Sequence, residues 1–584
     1  MMKKNKSKTF KRIRSMIRPY KKTVVFVTVL ALLIDVLALL KPYLVRVLID
    51  DFLKNGVEQK EFLSVSIIAY IYIGLVLLEN FLDYFNSTRT NILGESVVYD
   101  LRNRMYTFME KANIKFHDKM PSGTLFVRII SDIEDVYALF SDVITTIVKD
   151  VFIILGLIGV MIYISYKLAA ISLLIIPLII ISSLVLTSLL NKTYEAVKIV
   201  RTKMNIFFSE SIYGLKVIKI FNRQKEKQKE CETITDEFRK AMKPLGLLQG
   251  LLPAIMVLIE NLGIALIVWA VVNNWIGENL EVGVIYMFVT YLRNLFDPIN
   301  RIIENVEIVE EAVTSIDKVF EILDKEELLE DFDSGKRIDK IKGKIEFKNV
   351  WFAYHDEHWI LKNVSFTIEP GQSVALVGKT GSGKTTITNL INKFYTIQKG
   401  EILIDGININ DINLADLRRN IGTILQDPFI YAKSIKDNIK LFNDISDDNI
   451  EEAVKLASAN EFIGNQENGI DEIARERGNS FSAGEKQLLA FARIFALNPS
   501  VFILDEATAN IDTTTEQLIQ ESVDKLSKEK TSIFIAHRLA TIVNVDKIIV
   551  LNRGEIVEEG NHEELVKSGG YYSKLYNSYY NSLV

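Results

Sequence analysis

Six apolar runs, each long enough to cross a bilayer, occupy the first half of this chain: Val24–Leu48, Phe62–Phe85, Leu139–Ile164, Leu168–Leu190, Leu248–Val272 and Val282–Ile302. About 20 residues rising 1.5 Å each span the hydrocarbon, so every run is long enough. The third and fourth are joined through Ser165, Tyr166 and Lys167 as a tight hairpin. The second and sixth carry charges within the run. Six spans return the chain to the side it started from, and no further span follows Ile302.

The connections between spans alternate in length. Those after the first, third and fifth are short, and the last of them, Asn273–Glu281, has acids and no base. Those after the second and fourth are long and rich in Lys and Arg, which places them in the cytoplasm beside the basic N-terminus. Their apolar residues recur every three or four positions, as in Glu95–Tyr106, so each reads as a helical hairpin. Twenty-odd helical residues out and back reach about 30 Å beyond the membrane. Asp118–Gly123 and Ser209–Gly214 are the expected turns.

Composition agrees with a chain of two unlike parts. Over 584 residues, 49% are hydrophobic and 24% charged, too apolar for a soluble protein and too charged for a purely membrane one. Such apolar content excludes disorder. One cysteine, Cys231, excludes a disulfide scaffold and suits a reducing compartment. With 69 basic against 74 acidic residues, nothing global argues for nucleic acid. Met1–Lys22 holds basic residues and no acid, and no cleavage-site pattern follows the first apolar run. It reads as a cytoplasmic segment beside the first span, with Phe10, Ile13, Met16 and Ile17 as a weak apolar face toward the bilayer.

The expected organisation is therefore a segment 1–22, a six-helix membrane domain 23–305, an acidic helical linker 306–342 broken at Gly335, and a second domain 343–584. In that last part β-rich runs (Ile345–Val350, Ser373–Leu376, Glu401–Ile404, Ser500–Leu504, Thr531–Ile535, Lys547–Leu551) alternate with helical stretches. This is an α/β pattern around a largely parallel sheet.

Residues 378–385 read Gly-Lys-Thr-Gly-Ser-Gly-Lys-Thr, the phosphate-loop pattern, after a strand and at the start of a helix. The glycines let backbone N–H groups converge on phosphate oxygens. Lys384 supplies a mobile positive charge for the β- and γ-phosphates, and Thr385 a hydroxyl for Mg²⁺. Gly378, Lys379, Thr380, Gly381, Ser382, Gly383, Lys384, Thr385 and Thr386 are the expected ATP cradle. The buried strand before Asp505 and Glu506 aims Asp505 at the metal and Glu506 at the attacking water. An N-cap pair is the other reading of two acids there, and the phosphate loop decides against it.

Residues 481–487, Phe-Ser-Ala-Gly-Glu-Lys-Gln, resemble the signature segment of ATP-binding cassette proteins. The other parts of that family stand around it in order: Tyr354, Gln426 in Leu-Gln-Asp-Pro, the loop 509–512 ending in Asp512, and His537 in Ile-Ala-His-Arg. With six spans and two long hairpins before one cassette, the whole chain resembles an exporter-type half-transporter. The resemblance implies that Tyr354 stacks on adenine, Gln426 reaches Mg²⁺ and the attacking water, and His537 touches the γ-phosphate. It also implies that Asp512 meets the partner cassette, and that Ser482, Ala483, Gly484 and Glu485 are donated to ATP held by that partner. The catalytic set is then Glu506, His537, Gln426 and Lys384, and the metal set Thr385, Gln426 and Asp505. One chain holds half of each site, so the working unit needs two cassettes.

Two departures bear on the partner. Ala483 stands where glycine is usual and Glu485 where glutamine is usual. A Cβ hinders close backbone approach and a carboxylate repels triphosphate. Because Tyr354, Lys384, Asp505, Glu506 and His537 are intact, the chain resembles the subunit of a heterodimeric exporter that donates an altered signature to a weaker site. A homodimer with a variant signature is the competing reading.

Asp35, Glu79, Asp83, Lys149, Asp150, Glu260, Arg293 and Asp297 lie within or at the edges of the spans. Acids outnumber bases, as in an acidic cavity for cationic amphiphiles; the alternative is that they pair with one another. The expected function is ATP-driven export of amphipathic small molecules by alternating access, in the cell membrane with the cassette in the cytoplasm. Peptide export and lipid flipping remain open, as does an ATP-gated regulatory module, against which Glu506 and His537 argue. With so few residues before the first span, no N-terminal peptidase domain is expected.

Overall fold

The computed structural model describes residues 2–53, 62–273, 275, 280–355, 358–505, 513–528, 530–535 and 542–580. They form two compact units, Met1–Glu110 with Met120–Glu326, and Lys111–Lys119 with Glu327–Val584.

The first unit is helical. Helix α1 (Met2–Ile17) precedes α2 (Lys21–Val47) and α3 (Phe62–Lys111). After the short α4 (Ile114–Lys119), helices α5 (Ser122–Val127), α6 (Ile133–Ala138) and α7 (Ile144–Ile164) run on through π turns at Arg128–Asp132 and Leu139–Val143. Then come α8 (Tyr166–Leu173), α9 (Ile176–Tyr213), α10 (Leu215–Ile220), α11 (Gln224–Val272) and α12 (Val282–Leu323). Backbone groups inside a bilayer have to be bonded within the segment itself, which is why long apolar runs become unbroken helices. Among the described residues five stretches are long and apolar enough to cross a membrane: Lys8–Phe52, Val65–Lys111, Ser122–Ile164, Tyr166–Tyr213 and Gln224–Val272. The sixth, α12, has its apolar run interrupted by Arg293, Asn294 and Asp297.

Several helices outrun a bilayer. The 38 residues of α9 and the 49 of α11 make rods of roughly 57 and 74 Å. They pair along their length, with Gln249 donating to the Tyr194 hydroxyl at 2.7 Å and Lys203 facing Glu237 at 3.6 Å. At the expected turns the chain builds more than a turn: α4 caps one hairpin and α10 the other. Helix α12 continues unbroken to Leu323, so the helical part of the expected linker is an extension of the sixth span. From there to Lys342 the chain is mostly irregular.

Helix α1 does not turn its whole apolar face outward. Met16 is buried, and with Pro19 and Tyr20 it lies beside Val97, Asp100 and Leu101 of α3. The guanidinium of Arg12 lies over the Phe320 ring and donates to Asp317 and Asp324 at 2.8 and 2.6 Å. These bonds pin α1 to the end of α12, and protein rather than lipid covers Met16. The charges near the spans are mostly paired: Lys41 with Glu79, Lys149 with Asp83, Arg293 with Glu260, and Arg301 with Asp150.

The core of this unit gathers where α12 crosses its neighbours. Phe288, Tyr291 and Leu292 are fully buried, and the Tyr291 hydroxyl donates to the Leu39 carbonyl at 2.9 Å. At Gly263 of α11 an added Cβ falls 2.4 Å from Ile175 Cδ1 and 2.8 Å from Leu292 Cδ2, so a side chain there has to push both of these ends aside.

The second unit contains two sheets, where one largely parallel sheet was expected. Strands β1 (Ile345–Phe352), β2 (Leu361–Ile368), β4 (Lys399–Ile404) and β5 (Ile407–Asn408) form an antiparallel sheet, in the order β2-β1-β4-β5. The second sheet, ordered β10-β9-β3-β8-β7-β6, uses β3 (Ser373–Val377), β6 (Ile421–Ile424), β7 (Val501–Asp505), β8 (Thr531–Ile535), β9 (Lys547–Asn552) and β10 (Glu555–Gly560). Only β10 runs antiparallel in it. Strand β2 escapes sequence reading because Lys362 and Asn363 interrupt its apolar pattern, Asn363 at φ +53°. Strand β6 is only four residues long.

Helix α13 (Lys384–Ile391) follows β3. Helices α14 (Leu414–Asn420), α15 (Ile435–Lys440), α16 (Asp447–Leu456) and α17 (Asn460–Gly464) lead to α18 (Ala483–Leu497), and α19 (Thr513–Ser527) follows β7. The parallel strands are buried on both faces. Val374 and Leu376 of β3 join a core with the antiparallel sheet and α13; Ala375 and Val377 join another with α15, α16, α18 and α19. Substituting leucine at Gly263 should overpack the α11–α12 crossing and cost about 1–3 kcal/mol. A clearly lowered midpoint in thermal unfolding of the detergent-purified protein is the expected reading; an unchanged midpoint contradicts this packing.

Candidate nucleotide site

The parallel sheet puts four strand ends side by side. In the order β3-β8-β7-β6, Leu376 is level with Ile535, Asp505 also pairs with Ile535, and Leu504 is level with Ile424. The phosphate loop leaves β3, Asp505 ends β7, and Gln426 lies just beyond β6, so all three emerge at the carboxyl edge where open α/β sheets bind ligands. Gln426 and Thr385 are exposed there.

The loop fits a phosphate chain. Gly381 and Gly383 sit at φ +81° and +108°. A Cβ on Gly378 would lie 2.3 Å from the Leu551 carbonyl oxygen, so the cradle closes only around glycine. Ser382 is buried and its Oγ has no hydrogen-bond partner among the described residues, an orphaned group that a phosphate oxygen would satisfy. Lys384 is 5% exposed, with Nζ donating to the carbonyls of Gly378 at 2.7 Å and Lys379 at 3.3 Å. Burial pushes its pKa below the ordinary lysine value, and the charge of Asp505 opposes that shift. A triphosphate beside this ammonium would favour its charged form.

Tyr354 stands next to the same helix. Its hydroxyl shares a hydrogen bond with Thr386 Oγ1 at 3.2 Å and accepts from Asn389 Nδ2 at 3.4 Å. Its ring meets Phe352 and Tyr395 edge to face at 4.8 and 4.9 Å. These aromatics, with Trp359, line a cavity of about 870 Å³ whose far wall includes Asn113 and Lys115.

That wall is the tip of the first hairpin. Asn113 N donates to the Leu328 carbonyl and Glu330 N to the Lys111 carbonyl, each at 2.8 Å, with Ala112 bridging to Leu329. Phe116 of α4 is buried, and the Tyr395 hydroxyl donates to Asp118. A continuous path thus runs from Asp118 through Tyr395 and Tyr354 to Thr386. Sequence reasoning missed Tyr395, whose only signal was its place in an aromatic pair, Phe394 and Tyr395, shortly after the phosphate-loop helix.

The segment after Gln426 is tied to α18. Arg493 donates to the carbonyls of Phe429 and Asn438 at 2.8 and 2.7 Å and to Asn438 Oδ1 at 2.9 Å. Ser482 is the N-cap of α18, in a reciprocal capping box. Its Oγ accepts from Glu485 N at 3.2 Å, and Glu485 Oε2 accepts from Ser482 N at 2.7 Å. The unusual glutamate therefore uses its carboxylate on its own helix. Ala483 is exposed at the first helical position and Gly484 is buried at the second. Glu506, Asp512 and His537 lie outside the described residues.

A phosphate cradle on a parallel sheet, joined by one chain to a bundle of long apolar helices, defines a membrane-bound ATPase. Residues 24–299 match the family described as ABC transporter transmembrane region, and residues 361–509 the family described as ABC transporter. An ATP-dependent lipid A-core flippase of Syntrophus aciditrophicus is 32% identical, over 97% of this chain and 94% of its own length. The multidrug resistance-like ATP-binding protein MdlB of Buchnera aphidicola is 33% identical, over 96% of each chain. Among solved structures, a bacterial Atm1-family ABC exporter with ATP bound superposes with a TM-score of 0.78 at 25% identity, covering 96% of this chain and 98% of that one. The chain belongs to the ABC transporters. It is an exporter-type half-transporter, with membrane and ATP-binding domains fused and ATP hydrolysis coupled to transport.

Gly378→Ala should displace the loop from Leu551 and weaken ATP binding by about tenfold or more, equivalent to about 1.4 kcal/mol. Equilibrium binding of a fluorescent ATP analogue reads this directly, and wild-type affinity would refute the cradle geometry. Removing the cap with Ser482→Ala should cost about 1 kcal/mol, visible as earlier chemical unfolding of the second unit.

Proposed function

We propose that this chain pairs with a second half-transporter in the cell membrane and exports amphipathic small molecules, with its second unit in the cytoplasm. The path from Thr386 through Tyr354 and Tyr395 to Asp118 carries this reading. It gives the adenine and phosphate end of the site a direct hold on a hairpin that continues into a membrane helix. Phosphates settle against Lys384, Ser382 and the loop N–H groups, and adenine against Tyr354. Thr385, Gln426 and Asp505 would hold Mg²⁺, which would supply neutralisation of phosphate charge there. Glu506 orients water, His537 meets the γ-phosphate, and Asp512 meets the partner. Multidrug export and lipid A-core flipping are in the names of relatives of this length, and an amphipathic cargo is compatible with both.

Heterodimerisation is the preferred pairing, and the capping box supports it. An anion at a helix N-terminus needs free N–H groups. Glu485 occupies the Ser482 N–H, and the Ser482 hydroxyl occupies the Glu485 N–H. A carboxylate already neutralises the helix dipole there, while the hydroxyl proton of Ser482 remains free to donate. The donated half-site is therefore weak, and a partner with a full signature completes the strong one over this chain's own phosphate loop.

Glu506→Gln should retain ATP binding and lose about 100-fold or more in turnover, the usual scale for a proton-transfer group; unchanged turnover contradicts its role. Expressed alone, the chain should hydrolyse ATP poorly. Robust Mg-ATPase from a species of homodimer mass would favour self-pairing instead. Tyr395→Phe should keep ATPase activity while lowering transport per ATP in proteoliposomes, and full coupling would remove the proposed path.

A further inference from the structure

A second cavity, of about 510 Å³, lies within the first unit where α3, the π turn at Leu139–Val143, α7 and α12 meet. Every residue lining it is polar or charged, although the same helices are apolar nearby. Two ion pairs cross its wall: Arg301 with Asp150, Nη2 to Oδ1 at 2.6 Å, and Lys149 with Asp83 at 3.5 Å. They neutralise four of the lining charges. Asp142 and Glu304 also line it and have no basic partner among the described residues.

An independent observation points to a ligand. Asn86 and Ser141, only 8% and 5% exposed, line the cavity, and Asn86 Oδ1 and Ser141 Oγ have no hydrogen-bond partner among the described residues. Buried polar groups left unbonded are costly. The wall thus offers two unpaired carboxylates and two unsatisfied oxygens, an excess of acceptors and of negative charge. An ammonium group answers both, with three donors, no acceptor and one positive charge. A metal ion fits poorly, because no group of three acidic, His or Cys side chains converges among the described residues. A purely apolar solute finds no lining to match it.

We propose that this cavity binds a primary ammonium group on the solute that the transporter carries, with Asp142 and Glu304 supplying the charge and Asn86 and Ser141 accepting its hydrogens. The inference rests on the export reading and names the chemical class of its cargo. The volume lies in the range of small-molecule pockets and leaves room for such a group borne either by a free polyamine or by the head of an amphiphile.

The test is equilibrium binding to the full-length protein in nanodiscs, without ATP, of spermidine, dodecylamine and its uncharged counterpart dodecanol. At least one amine should bind saturably, and dodecanol should not displace it. Spermidine alone binding assigns a free polyamine; dodecylamine alone assigns an amphiphile. Asp142→Asn with Glu304→Gln should raise the Kd of the bound amine at least tenfold, and Ser141→Ala should raise it less. No binding by either amine, displacement by dodecanol at equal concentration, or wild-type affinity in a folded double variant overturns the proposal. Should the double variant not fold, the wild-type comparison of amine and alcohol and the single Asp142→Asn variant decide it. ATP-driven uptake of the same amine separates the two claims: binding without uptake sinks the export reading and leaves the site, and uptake untouched by the double variant does the reverse.

Discussion

A backbone in hydrocarbon has no water to bond with, and each crossing must therefore be a helix complete in itself. The rest of this protein depends on that constraint. Once a helix is nucleated, extending it is easy, and α3, α9, α11 and α12 continue well past what a bilayer needs. Rods of this kind turn a small movement at one end into a displacement at the other. The best apolar stretch of α3 has none of its residues buried within the chain, so lipid or a partner must cover it.

The nucleotide end uses a different economy of contacts. Strand ends of the parallel sheet gather residues far apart in sequence at one edge, and the loop after β3 is held by close packing. Gly378 against the Leu551 carbonyl, Gly383 in a left-handed conformation and the orphaned Ser382 hydroxyl leave little freedom to the groups that meet phosphate. Rigid positioning of charge is what phosphoryl transfer requires. The polar cavity of the first unit and the nucleotide site differ accordingly: one offers acceptors and negative charge, the other donors and positive charge.

Much of this was legible in the sequence because it rests on local signals. The spans follow from apolar length, the tight hairpin at Ser165 from three residues between two such runs, and the phosphate loop from eight consecutive residues. What escaped depends on partners distant in sequence. The capping box of Ser482 and Glu485 has a local signature, yet the glutamate was read only for its charge toward phosphate. Tyr395 gains its meaning from Asp118, and Arg493 from Asn438 and Phe429. The antiparallel sheet was missed where Lys362 and Asn363 broke the alternation of β2, and the burial of Met16 depends on α3. Pairing of the intramembrane charges was one of two open readings, and ion pairs now account for most of them.

The seating of residues 111–119 in the second unit has a further consequence, for biogenesis. This tip leaves the ribosome long before the segment at Leu328–Glu330 that bonds to it. Until then its N–H and C=O groups and Phe116 lack their final partners, and the membrane helices have to insert around an unfinished end. Chain synthesis therefore sets an order in which the ATPase unit completes itself only by recapturing a piece of the earlier domain. A variant that weakens this recapture would first show itself as retention by chaperones and degradation, ahead of any defect in catalysis.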